Sequence, residues 1–469
     1  MIRLALLLLG PQFIRSRWGV LTAIGILWTV LGVVVFADGL DGDLWFPVRL
    51  VGYLLIIEAI VTLVATTSNL GTQTILRKSR GVWFLIVGVL IIEPARVSDF
   101  ILSFLFGAIL AIDAVLRMSA AWVVRFPHWR VSFAMGILEM LFAIFMFQPY
   151  PDFYRGTVAY CVGAAMVLSG LGCVLLSLRL RKLPPNGSLA ALFARSHRVD
   201  EVSIPVLPLH EHEGVAHSLT VHVWTPAGSA KDPLPQPLLD RYVAAVDGMG
   251  VISTGHSALE LTPDLYISHY PDVEIDHSPS DFRHLLRATS DNNVPGKFQP
   301  SYAIESAAWC PSTEQVRFER FDPRRLRAFW KVYSRDTTYN LTNRNCSSTV
   351  AEALESALEG SIGIGQKGPT LHAFLSSLLN PELWVASQLR KHAQFAAWTP
   401  GLMLDYARAL KVAVNPPPLG LVTLSQLTVN MLRAHRRRRA FIAEARTRAL
   451  AAALSRKDVA GQAAKPPAT

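Results

Sequence analysis

The chain has 469 residues, 51% of them hydrophobic and 17% charged, and a net charge of +10. The apolar excess lies almost entirely before Leu180, which excludes a wholly soluble protein and points to a membrane region joined to a globular one. Four cysteines (Cys161, Cys173, Cys310, Cys346) without a CxxC pair imply neither a disulfide framework nor a zinc site.

From the start, Met1 to Gly10 is apolar but short, and no small-residue cleavage site follows; it reads as an interfacial lead-in. A helix crossing a bilayer needs about 20 mostly apolar residues. Residues 18–36, 48–66, 100–124, 131–147 and 154–178 meet or approach that length. A sixth stretch, 81–92, stops at Glu93-Pro94 and spans only with its flanks or as a broken helix.

The odd segments each open on arginine and reach a similar tripeptide: Arg17 leads to Gly25-Ile26-Leu27, Arg80 to Gly88-Val89-Leu90, Arg130 to Gly136-Ile137-Leu138. In the even segments a glycine precedes a polar residue by a constant offset: Gly52 and Glu58, Gly107 and Asp113, Gly163 and Ser169. Matching marks predict a helical hairpin repeated three times, with small residues letting backbones approach. Loop charge sets the orientation. Arg3, Arg15, Arg17, Arg77, Lys78, Arg80, Arg117, Arg125, Arg130, Arg179, Arg181 and Lys182 fall on one side, against Arg49, Arg96 and Arg155 on the other. That bias predicts a multi-pass protein of the inner (plasma) membrane with its soluble domain in the cytoplasm. Three glycine-marked hairpins with arginine before the odd helices resemble the HdeD family of bacterial membrane proteins, over roughly residues 10–182. The resemblance implies an acid-resistance or stress-response role.

Glu58, Asp113 and Glu139 lie within spans and form a candidate intramembrane polar site. No basic residue is evident at matching depth, so neutral carboxylic acids hydrogen-bonded between helices are expected ahead of a proton path.

Leu183-Pro184-Pro185-Asn186-Gly187-Ser188 ends the last helix. The expected organisation is a transmembrane domain over 1–182, a linker over 183–214, an α+β thiol domain over 215–380, a helical basic region over 381–456 and a disordered tail over 457–469. Residues 218–225 alternate as a strand, 251–261 and 265–269 read as strands joined at Thr262-Pro263-Asp264, and 324–334 and 347–359 read as helices. Asp322-Pro323 marks a helix start.

Cys346 stands in Asn345-Cys346-Ser347, directly before a helix, where unpaired N–H groups and the helix dipole favour thiolate. His256 and His269 lie on the paired strands. On a hairpin the two imidazoles could share one face, His256 taking the thiol proton and His269 orienting it. This order is similar to the circularly permuted papain-like fold. His256, His269 and Asn345-Cys346 resemble its lecithin-retinol-acyltransferase-like branch; Gly255-His256 and Asn345-Cys346-Ser347 resemble its Lnb-type thiol domain branch. The resemblance implies cysteine-dependent hydrolysis or acyl transfer at an amide, ester or thioester, on a peptide or lipid-like substrate, without cofactor or metal. The alternative is a non-enzymatic HdeD-like stress-response protein whose soluble domain binds a partner.

His210, His212, His217 and His222 lack a matching carboxylate or cysteine and are not expected to hold a metal. Arg433, Arg436, Arg437, Arg438 and Arg439 lie on a predicted helix over 421–455, suited to anionic lipid. No interleaved aromatics support nucleic acid there.

Overall fold

The computed structural model describes residues 1–15, 17–41, 45–64, 72–93, 96–183, 187–194, 217–225, 245–246, 252–253, 255–273, 275, 287–363, 371–378, 380–395 and 397–415. The predicted basic helix over 421–455 and the tail over 457–469 lie outside these residues. The chain is mostly helical, with a small antiparallel sheet.

The apolar N-terminal region contains α3 (Trp18–Asp41), α4 (Val48–Val64), α5 (Thr72–Ile92), α6 (Arg96–Val124), α7 (Trp129–Met146) and α8 (Thr157–Arg181). Four of these, α3, α6, α7 and α8, are long and apolar enough to cross a membrane. Their large apolar side chains face outward: Leu27, Leu116, Val131 and Leu175 are all exposed, as suits a lipid solvent.

The expected hairpins pair α3 with α4, α5 with α6 and α7 with α8. The structure instead packs α3 along α8, α4 along α5 and α6 along α7, so each odd segment meets the even segment of a neighbouring unit. The glycine marks explain why. A Cβ added to Gly32 would stand 2.8 Å from the Gly163 carbonyl oxygen, and one on Gly52 would stand 3.0 Å from that of Gly88. Small residues from odd and even segments are complementary surfaces, and close backbone approach holds the pairs.

The N-terminal segment differs from an interfacial lead-in. It forms α1 (Ile2–Leu9) and a short α2 (Pro11–Arg15). Leu4, Ala5, Leu6, Leu7, Leu8 and Leu9 are each no more than 2% exposed. They join one apolar core with the soluble helices and with Leu21, Leu176 and Leu180 at the ends of α3 and α8. Residues 189–193, inside the expected linker, form α9 (Leu189–Phe193), N-capped by Ser188. Glu359 accepts from Ser188 Oγ at 2.6 Å and from the Leu189 N–H at 3.0 Å, and it pairs with Arg325 at 2.9 Å.

The soluble domain carries β1 (Ser218–Trp224), β2 (Ala245–Val246), β3 (Ile252–Ser253), β4 (His256–Thr262), β5 (Leu265–Pro271), β6 (Gly296–Phe298) and β7 (Glu314–Phe318). Its helices are α10 (Tyr302–Ala308), α11 (Pro323–Tyr333), α12 (Cys346–Leu358), α13 (Leu371–Leu378), α14 (Pro381–Phe395) and α15 (Pro400–Val414). The main sheet has the order β6-β5-β4-β1-β7, while β2 and β3 pair separately. Leu219, Val221, Val223, Leu259, Leu261 and Ile267 face the core shared with α12 and α15. Thr220, His222, Trp224 and Ala258 are also buried, on the face that α10 covers. Both faces are therefore closed, and alternation in β1 marks two different interiors rather than core and solvent. The predicted helix start at Asp322-Pro323 is borne out: the Asp322 side chain accepts the Arg324 N–H at 3.0 Å with Pro323 in the first turn.

Candidate thiol site

Cys346 is the first residue of α12. Asn345 caps the helix: its side chain accepts the Ser348 N–H at 2.8 Å, while the Ser348 hydroxyl accepts the Asn345 N–H at 2.8 Å. This reciprocal box fixes the direction of the first turn, and with it the thiol. The Asn345 amide also donates to the Leu341 and Trp398 carbonyls at 2.8 and 2.9 Å, tying the cap to the loop before α15.

The first turn of α12 packs against the start of β4. Ser257 and Ser347 hydroxyls meet at 3.0 Å. The Ser257 N–H and the Ser347 N–H and hydroxyl act on the Cys346 sulfur and lower its pKa, but burial dominates and pushes the thiol up. Helix position alone predicts thiolate; the structure corrects this, because desolvation at 8% exposure outweighs the N–H groups.

The two histidines do not share a face. The β4–β5 ladder pairs Ala258 with Ser268 and Leu259 with Ile267. Opposed residues point the same way, so His256, two before Ala258, shares its face with Ser268 and Tyr270, while His269 points to the other side. The rings of His256 and Tyr270 stack at 4.0 Å. His256 Nε2 lies 2.9 Å from Ser268 Oγ and 3.3 Å from Glu305 Oε1. Glu305, on α10 and 3% exposed, also accepts from the Tyr266 hydroxyl at 2.6 Å and the Tyr270 hydroxyl at 2.7 Å. Burial, with His269 nearby, lowers the His256 pKa to about 3, so its imidazole is neutral near pH 7.

His269 packs against the first turn of α12. Its Nε2 faces the Thr337 carbonyl at 3.2 Å, which can only accept, so Nε2 carries the proton. Its Nδ1 meets Thr349 Oγ1 at 3.2 Å, and Tyr333 holds the same hydroxyl at 2.7 Å. Burial lowers its pKa to about 4. Both ring nitrogens are committed, so the expected role of orienting His256 does not fit; His269 braces the first turn of α12. Neither imidazole is hydrogen-bonded to the Cys346 sulfur among the described residues. His256 Nδ1 has no hydrogen-bond partner there.

Ser268, Glu305, Tyr266 and Tyr270 were missed by sequence reasoning. Tyr266, Ser268 and Tyr270 alternate along β5 and could have been read as a polar face. Glu305 carries no local signal, because only tertiary packing brings α10 to the sheet.

The three carboxylates expected within spans also differ from expectation: each has a basic partner. Glu58 pairs with Arg80. Arg117 bridges Asp113 at 3.0 Å and Glu139 at 2.9 Å. Ser169, at the equivalent repeat position, accepts from Trp28 Nε1 at 3.1 Å. His217 meets the Thr262 carbonyl at 3.0 Å; His222 meets Glu260 at 3.1 Å and Ser312 at 3.2 Å. His210, His212 and the arginines 433–439 lie outside the described residues. Compared with known proteins, the chain matches no protein family, no curated sequence and no solved structure.

Proposed function

We propose that the protein is a membrane-tethered cysteine hydrolase or acyltransferase. The carrying observation is the Cys346 thiol at a capped helix start, against the N–H of Ser257, the residue that follows a neutral His256 whose Nε2 is held by Ser268 and Glu305. With Nε2 so held, Nδ1 is left for the thiol. Sγ attacks an amide, ester or thioester carbonyl and its proton passes to His256 Nδ1. The leaving group departs with that proton, and the thioester is released to water or to an acyl acceptor. Glu305 replaces His269 as the orienting group. Because burial raises the thiol and lowers the imidazole, the resting pair is neutral, so His256 acts as general base at the moment of attack.

The architecture proposed is a six-helix bundle of HdeD-like type carrying a permuted papain-like domain. Its support is the six long helices and their glycine seams, and the cysteine helix packed on an antiparallel sheet. A cytoplasmic soluble domain at the inner membrane is favoured because that domain contacts the basic side of the bundle. The Ala288 N–H, for example, donates to the Val124 carbonyl at 2.6 Å.

A tagged acyl electrophile applied to the full-length protein in detergent tests this reading. Wild type should label, Cys346→Ala should not, and equal labelling of both ends the proposal. The competing reading is a non-enzymatic stress-response membrane protein with a partner-binding domain. The 8% exposure of Cys346 favours it, and absence of labelling in folded wild type would decide for it.

A further inference from the structure

A cavity of about 470 Å³ lies where α1, α8 and α14 meet, away from Cys346. That volume is within the range of small-molecule sites. Its lining is divided by chemistry: Leu4, Gly172 and Leu176 are apolar or small, while Arg3, Arg390 and Lys391 are cationic. Arg3 is exposed, and it sits in the repulsive fields of Arg390 and Arg179, which with partial desolvation lower its pKa. No carboxylate is set against Arg3 among the described residues. Arg390 is committed to Glu355 at 2.7 and 2.9 Å. Lys391 also feels Asp113 and Glu139, but those two already share Arg117. Arg3 and Lys391 are exposed to this open volume with Arg390 beside them, and an anion entering it would offset their mutual repulsion.

The cavity also has depth. Its lining on α8 runs from Ser169 to Leu176, about 10 Å along the helix at 1.5 Å per residue. Ser169 and Gly172 are exposed, and on the same helix so are Leu168, Leu171 and Leu175. A cationic end and an apolar shaft suit an amphiphile better than a small soluble anion.

We propose that this cavity binds one anionic membrane lipid, its phosphate between Arg3 and Lys391 and an acyl chain along α8 past Gly172 and Leu176. The site does not depend on the thiol chemistry.

Native mass spectrometry of the full-length protein, exchanged into micelles doped with phosphatidylglycerol or phosphatidylcholine, tests it. Wild type should retain one phosphatidylglycerol in preference to phosphatidylcholine. Arg3→Gln/Lys391→Gln should weaken retention roughly tenfold or more. Gly172→Trp gives a second arm that keeps every charge. A Cβ at Gly172 meets nothing within 4 Å, so the larger side chain fills the cavity without displacing backbone, and lipid should be lost. Cys346→Ala should bind as wild type. Equal retention of the two lipids, or unchanged retention in both variants, overturns the proposal. Competition by millimolar glycerol phosphate as strong as by whole lipid would also overturn it, by assigning the site to a free phosphate ester.

Discussion

A thiol at a helix start is pulled in two directions, and here the balance falls on the side of burial. The N–H groups of Ser257 and Ser347 favour thiolate, yet desolvation keeps Cys346 protonated. The same desolvation holds His256 and His269 neutral, with pKa values of about 3 and 4. This has a consequence for stability. Above the ordinary histidine pKa of about 6.5 both folded and unfolded chains hold neutral imidazoles, and the packing around them is fully effective. As pH falls, the unfolded chain takes up protons that the folded protein refuses until pH 3–4, so stability is lost through that window by a few kcal/mol, at ~1.4 kcal/mol per pKa unit. The apparent melting temperature in detergent should therefore drop between pH 7 and 4.5, and the slope should flatten in His256→Gln. A wild-type curve flat over that range would show that burial does not control these residues.

The two histidines should also separate in activity. His256→Ala should slow acylation of Cys346 by roughly 10²-fold or more, as for loss of a general base. His269→Asn should lower the melting temperature while the folded fraction still labels within a few-fold of wild type. Rates that fall equally in both would restore the two-histidine arrangement. Sequence made Cys346 and His256 legible: an Asn-Cys before an amphipathic helix and a Gly-His opening a strand both stand out locally. It could not choose between Ser268 and His269. They are adjacent, and a one-residue change of register moves a side chain to the opposite face. The Ala258–Ser268 pairing makes that choice, and it is a property of the sheet.

At the scale of elements, the spacing of glycines was readable and the partner helices were not. Identical marks on three odd and three even segments allow any odd–even pairing, because each seam needs only small residues from both sides. The structure pairs α3 with α8, α4 with α5 and α6 with α7. The seam between α3 and α8 is the most confined. Beyond the Gly163 carbonyl, a Cβ at Gly32 would meet Met166 Cβ and Val167 N, each at 2.8 Å. Gly32→Leu should separate the two helices at a cost of about 1–3 kcal/mol. Gly19→Leu, where a Cβ meets nothing within 4 Å, should be close to neutral. Comparing the two melting temperatures checks this; equal values would mean that the seam is not tightly packed.

At the scale of the whole molecule, the membrane and soluble parts are built into each other. Arg80 pairs with Glu58 and lies over the Trp384 ring of α14 at 4.5 Å, so one guanidinium joins the α4–α5 pair to the soluble domain. More consequential is α1, which starts the chain yet completes the core of a domain that begins some 200 residues later. A run of leucines has the same composition whether it meets lipid or a protein interior, so sequence could not decide its place. Five leucines of α1 (Leu4, Leu6, Leu7, Leu8 and Leu9) are each at most 2% exposed. At ~1.5–3 kcal/mol per buried side chain their burial is worth roughly 7–15 kcal/mol before entropy, comparable with the whole stability of a typical domain. The Gly360 N–H donates to the Leu7 carbonyl at 2.9 Å, adding a backbone tie. Residues 183–469 expressed alone should therefore lack a cooperative thermal transition, whereas the same fragment with residues 1–15 fused through a flexible linker should regain one. Leu7→Ala in the full chain should cost about 2–5 kcal/mol. A cooperative melt in the fragment without residues 1–15 would show that the soluble core closes unaided, and α1 would then be an addition to this domain rather than part of it.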